Sequence, residues 1–228
     1  MNPGCPRHAG ENRELAGSIC QKYAMIFLTD MDAIANKILA RAKRHGAGWV
    51  FSAKHLTDFG DRAAIDQALS RLARDRRIRR LARGLYDVPK IHPVLGLLSP
   101  NPDAVAAAAA EQAGHRLQIS PARAANVLGL SSQVPAKTVY LTDGCSRRIT
   151  IGNQVVYLKH ASPRALLGAG TQAGAALQAL RAMGKGHVND GIVQQLRSTL
   201  PPDAKHDLRK LMHQAPQWTA PVIAAITA

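Results

Sequence analysis

Asp61-Arg-Ala-Ala-Ile-Asp-Gln-Ala-Leu-Ser-Arg-Leu-Ala-Arg-Asp-Arg-Arg-Ile-Arg-Arg-Leu-Ala-Arg-Gly-Leu-Tyr-Asp-Val-Pro89 is the stretch on which the fold turns. Its first half is periodic. On a helical wheel Ile65, Ala68, Leu69 and Leu72 fall within about 100°, the width of a face that packs on a core. Ala63, Gln67, Ser70 and Arg74 occupy the opposite face, with Asp66 and Arg71 flanking it. The pattern predicts a helix from Asp61 to Asp75. The second half predicts a hairpin: Ile78 to Arg83, a turn at Arg83-Gly84, then Leu85 to Val88, with Pro89 ending the strand. A helix followed by an arginine-studded hairpin is how a winged helix-turn-helix holds a DNA duplex.

Upstream, Asp32 caps an expected helix that buries Ile34, Ile38, Leu39 and Ala42 and stops at His45-Gly46. Gly48 to Ser52 follows as a short strand, Ala53 to Phe59 as a brief second helix, and Gly60 as its break. Residues 1–30 lack a period and are expected to be a loosely ordered extension, with Met25 and Met31 as alternative starts. Downstream, Pro93, Pro100 and Pro102 mark 91–102 as a linker. Residues 103–228 then predict a second, α+β unit. It opens with an alanine-rich helix (103–114) and a short strand at Leu117, and Pro121 starts a helix to about Leu130. Strands follow at 138–141, 147–151 and 155–160, and helices at about 162–167, 171–183, 189–198, 203–214 and 217–226. The expected fold class is therefore α+β: a winged helix-turn-helix at 31–90, a linker, and a mixed α+β domain with a helical C-terminal part.

An exposed helix face in the major groove reads base edges. Gln67 has the two-pronged amide that matches adenine, and Arg71 and Arg74 suit guanine or phosphate. Ser70 serves either role, and Arg62 lies at the helix start, where free backbone N–H groups also favour a phosphate. In the hairpin, Arg79, Arg80 and Arg83 are placed for the flanking backbone or minor groove, and Lys54 begins the short helix before the reader. Arg147, Arg148, Lys159 and Arg164 form a second basic group on the α+β unit.

Charge supports the placement. The chain carries 30 Lys/Arg against 15 Asp/Glu, a formal net charge of +15. Residues 37–83 alone hold 13 Lys/Arg and 4 Asp/Glu. Such a balance points to a polyanionic partner, nucleic acid first and an anionic membrane surface second, and its concentration favours a localised phosphate-binding face. Cys5, Cys20 and Cys145 have no CxxC spacing, and the nine histidines form no HExxH, so no metal, cofactor or disulfide framework is expected. Carboxylates are not paired near a histidine, so no catalytic residues are assigned and an enzyme is not expected. Gly168 to Gly174 is glycine-rich but lacks the lysine of a phosphate loop and suits close helix packing better. No run of 18 apolar residues occurs, so the expected location is the cytoplasm, with no membrane partner. The competing reading is a basic module that grips RNA or an acidic protein without reading DNA sequence.

Gly48-Trp-Val-Phe-Ser52, Ser70-Arg-Leu72 and Ile78-Arg-Arg-Leu-Ala-Arg-Gly-Leu-Tyr-Asp-Val-Pro-Lys90 resemble the winged helix of AbiEi-type antitoxins of bacterial type IV toxin–antitoxin systems. Leu128-Gly-Leu-Ser131, Pro135-Ala-Lys137, Val139-Tyr-Leu-Thr-Asp-Gly144 and Ile151-Gly-Asn153 resemble the second domain of that family. The likeness covers about 31–228. It implies a transcriptional regulator that binds operator repeats, represses its own operon and counteracts a nucleotidyltransferase-like toxin, its possible protein partner.

Overall fold

The computed structural model describes residues 33–228; the extension assigned to 1–30 lies outside them. The first helix, α1 (33–45), buries Ile34, Ala35, Ile38 and Ala42 along one stripe. It closes at Gly46, which adopts a left-handed φ of 85° while its N–H bonds the Ala42 carbonyl. Strand β1 (Val50–Ser52) leads into a 3₁₀ segment, Ala53–Phe59, where the sequence pattern anticipated an α-helix. Helix α2 (Arg62–Arg74) begins where the Asp61 carboxylate accepts the Ala64 N–H at 2.7 Å. The hairpin follows as β2 (Arg79–Ala82) and β3 (Leu85–Asp87).

These three strands pair antiparallel in the order β1-β3-β2, with Phe51 and Arg80 both opposite Tyr86. The anticipated stripe of α2 is the buried one: Ile65, Ala68, Leu69 and Leu72 meet Ile38, Phe51, Leu56 and Ile78. Each large aliphatic so enclosed contributes about 1.5–3 kcal/mol. Trp49 stacks between His45 (4.1 Å) and Phe51 (4.4 Å), closing the sheet against the end of α1. Helix, strand, 3₁₀ turn, helix and hairpin, in this order, make the winged helix-turn-helix arrangement.

The proline-punctuated segment after it is not featureless. Ile91–His92 (β4) and Gly96–Leu97 (β5) form a small antiparallel hairpin. His92 holds its turn, Nδ1 accepting the N–H groups of Val94 and Leu95, both at 3.2 Å. Ile91, Val94, Leu95 and Leu97 on this hairpin are 57–85% exposed.

Helix α3 (Pro102–Ala113) starts at Asn101, whose side chain accepts the Asp103 N–H. Beyond it lie β6 (Leu117–Ile119), α4 (Pro121–Val127), β7 (Thr138–Thr142), β8 (Arg147–Ile151) and β9 (Gln154–His160). Helices α5 (Gln172–Met183), α6 (Asp190–Thr199), α7 (Pro202–Leu211) and α8 (Ala220–Thr227) complete the α+β fold. The sheet order is β6-β7-β9-β8, with β7 and β9 parallel and the other pairs antiparallel. The anticipated helix at 162–167 is a run of turns, 163–170, with short-range bonds such as Ala165 N–H to the Ser162 carbonyl and Ala169 N–H to the Leu166 carbonyl, and with Gly168 and Gly170 at left-handed φ values of 68° and 79°. Helix α4 ends three residues short of the expected Leu130, and Gly129 with φ of 71° completes its exit.

Two packing features tie the elements together. Val50 and Leu85 of the first sheet share a core with Val105 and Ala109 of α3 and with Tyr140 and Val156 of the second sheet. Small alanines on α3 permit that close approach from both sides. The glycine-rich 168–174 stretch also serves packing. A Cβ on Gly174 would lie 1.9 Å from the Gly168 carbonyl oxygen, so only glycine admits this contact.

Candidate nucleic-acid interface

Burying one stripe of α2 leaves the other in solvent. Gln67, Ser70 and Arg74 are exposed on it. The Ser70 hydroxyl donates to the Asp66 carbonyl at 2.8 Å, which aligns it along the helix while its lone pairs remain outward. Arg62 is exposed and donates from Nε to Asp66 at 2.8 Å, a surface pair one helical turn apart. That pair fixes Arg62 over the first turn and lowers the net charge there. Arg71 is half-buried and engaged within the protein. Gln67 and Arg74 are therefore exposed on this face, while Arg62 is exposed but paired at the start of the helix.

The hairpin divides its arginines. Arg80 and Arg83 are exposed, Arg83 at the turn made by Gly84 (φ 71°). A register shift between Arg80 and Ala82 breaks the strict alternation of β2. Arg79 leaves the DNA-contacting set that the sequence pattern assigned. It donates two hydrogen bonds to Asp87, Nε to Oδ1 at 2.9 Å and Nη2 to Oδ2 at 2.5 Å, and a third to the Leu98 carbonyl at 3.2 Å. The Asp87 side chain is 1% exposed, so its carboxylate requires this partner. The Asp87 hydrogen bond holds the Arg79 guanidinium above its ordinary pKa. Arg76 and Arg77, at the exit of α2, are exposed beside the hairpin. Between α2, β2 and the β4–β5 hairpin runs a cleft of about 500 Å³, floored by Ala73, Ile78, Ile91 and Leu97 and edged by Arg76 and Arg80.

Lys54 is exposed and makes a structural contact. Its Nζ donates to the Glu111 carbonyl at 3.0 Å, at the C-terminal end of α3, where helix carbonyls carry partial negative charge. His55 beside it accepts the Ser52 N–H at Nδ1 (3.1 Å), which puts its ring proton on Nε2, facing Glu111 at 3.1 Å. Arg41 joins α1 to the same segment by a two-pronged pair with Asp58 at 2.9 and 2.6 Å.

The second basic group separates into three. Arg147 lies on the inner face of the sheet, and its Nη2 donates to the Ala109 carbonyl of α3 at 2.7 Å. Arg148 and Lys159 are exposed on the outer face. Arg164 lies in the turns after β9, where its carbonyl accepts Arg181 Nη2 at 2.7 Å. Arg181 is pushed below its ordinary pKa by burial first and by Arg164 second. Strand β8 lies against β2, so the outer part of the second sheet adjoins the wing. Among the described residues no cluster of three His, Cys, Asp or Glu is placed to hold a metal, and no helix is long and apolar enough to cross a membrane.

The chain belongs to a family of unknown function, DUF6088, whose model matches residues 36–208. No curated protein matches it. A crystal structure of the Rv2827c protein from Mycobacterium tuberculosis is similar at 15% identity with a TM-score of 0.39, over 86% of this chain and 76% of that one.

Proposed function

We propose that this member of the DUF6088 family is a non-enzymatic, sequence-specific DNA-binding regulator that represses its own operon, and that it acts as an antitoxin of the AbiEi kind against a nucleotidyltransferase-like toxin. The DNA half is carried by one observation: α2 offers Gln67 and Arg74 outward while its other face is fully packed, and Arg80 and Arg83 of the hairpin stand beside it. In this reading α2 enters the major groove, Gln67 reads a base edge, and Arg74, Arg80 and Arg83 hold phosphates. The antitoxin half rests on the sequence resemblance alone, and operator repeats would place two copies side by side.

Titration of the full chain with its own upstream DNA, followed by fluorescence anisotropy at several salt concentrations, tests the DNA half. With about six phosphates neutralised, log K falls against log salt with a slope near −5. Gln67→Ala narrows the affinity gap between operator and random duplex, costing about 1–3 kcal/mol on operator alone. Arg80→Ala weakens both duplexes alike. A flat salt dependence, or a Gln67→Ala loss that is equal on operator and random duplex, overturns the reading.

A further inference from the structure

The second sheet has two unlike faces. Tyr140, Ile149, Ile151, Val156 and Leu158 point inward and are buried with α3. The alternate residues point outward: Val139 on β7, Arg148 and Thr150 on β8, and Val155, Tyr157 and Lys159 on β9. Helix α5 packs over the β6 side of this outer face, where Gln118 is buried. On the β9–β8 side Arg148, Thr150 and Lys159 are exposed, and Val155 and Tyr157 half-buried.

Register places these groups precisely with respect to one another. Arg148 lies directly opposite Tyr157 across the β8–β9 pair, and Val139 lies opposite it on the β7 side. Lys159 is the next outward residue along β9. Tyr157 therefore has Arg148 on one side, Val139 on the other and Lys159 next along its own strand, and no carboxylate occupies an outward position on these three strands. Asp143, which follows β7, is paired with Arg116, whose Nε lies 3.0 Å away. Arg164, in the turns after β9, adds to the positive surroundings.

We propose that this open half-sheet binds single-stranded nucleic acid, with one unpaired base stacked on the Tyr157 ring and its flanking phosphates at Arg148 and Lys159. The argument is one of complementarity. A duplex hides its base faces in its own stack and presents phosphates alone, so it has no use for the ring. An acidic protein would meet the same cations, and competition by polyglutamate tells it apart from a nucleotide. An unpaired nucleotide uses both the cations and the ring, and a flat sheet face leaves the base room to lie down. This surface is separate from α2 and does not rest on the duplex reading.

The test is anisotropy of the full chain with a short 5′-labelled oligouridylate at low salt, alongside the upstream duplex. Saturable binding is expected, weakened roughly tenfold by Tyr157→Ala and kept by Tyr157→Phe, since one base stack is worth about 1–3 kcal/mol. Arg148→Ala and Lys159→Ala should each flatten the salt slope by about one unit. Gln67→Ala should leave oligouridylate binding unchanged. Melting curves of Tyr157→Phe and Tyr157→Ala report whether the sheet is intact, and Tyr157→Phe carries the ring if Tyr157→Ala unfolds. Absence of oligouridylate binding, binding indifferent to Tyr157→Ala in a folded protein, or loss of binding in Tyr157→Phe overturns the proposal. So does equal displacement of the oligonucleotide by polyglutamate, which would mark a general cation surface.

Discussion

Arg79 and Arg80 are neighbours in one strand and do different work. Arg79 neutralises a carboxylate that is sealed from water, whereas Arg80 faces solvent. Removing Arg79 leaves Asp87 charged and unpaired, so Arg79→Ala should cost about 3 kcal/mol or more. Arg80→Ala should move stability by no more than about 0.5 kcal/mol. Urea denaturation of the two variants checks the contrast, and similar losses would contradict it. Gly174→Ala belongs to the same scale. Its methyl would meet a backbone oxygen that cannot rotate away, for an expected loss of about 1–3 kcal/mol. Asp58 supplies a pH-dependent contact. The Arg41 hydrogen bond depresses its pKa below 3.8, so its pairing stabilises the fold above that value and is lost as pH falls through the depressed one. Asp58→Asn should therefore flatten the acid limb of a stability–pH curve, and an unchanged limb would remove Asp58 from that role.

At the scale of elements, legibility in the sequence followed locality. Helix α2 was readable nearly to the residue, because its buried stripe and its Asp61 cap are both written within 15 consecutive positions. The β2–β3 hairpin was readable for the same reason, with Gly84 supplying the turn. The partners of its side chains were not. Nothing near Arg79 in the pattern singles out Asp87 as a buried acid, and the Leu98 carbonyl is 19 positions away. The β4–β5 hairpin was masked by prolines that promised a linker, yet Pro93 simply occupies its turn. The parallel pairing of β7 with β9 was equally invisible, since strand order is set by packing against α3 and α5 rather than by either strand. Of the candidate site, the residue types and the α2 face were legible. Which cations bond to the protein itself was not, because Lys54 and Arg147 reach carbonyls of α3 57 and 38 positions away, and Arg79 a buried carboxylate on the neighbouring strand.

For the molecule as a whole, the shared core has a consequence for unfolding. Cutting after Lys90 would strip Val50 and Leu85 of their α3 neighbours, each a loss of about 1.5–3 kcal/mol. Calorimetry of residues 33–228 should show one main transition, and a fragment ending at residue 90 should melt broadly and early. Two well-separated transitions in the longer chain would contradict that coupling. The β4–β5 hairpin bears on a different property, colloidal behaviour. A net charge of +15 keeps copies apart at low ionic strength, while Ile91, Val94, Leu95 and Leu97 stand ready to adhere. Salt shortens the reach of that repulsion to about 3 Å at 1 M, and a kosmotropic salt such as sulfate also strengthens apolar contact. Raising salt should thus weaken the proposed duplex binding and at the same time bring copies of the chain together, as light scattering would record. Val94→Ser with Leu95→Ser should abolish the second effect and leave the first. Purification at high salt, the usual way to strip nucleic acid from a basic protein, would then be the condition that most favours self-association of this one.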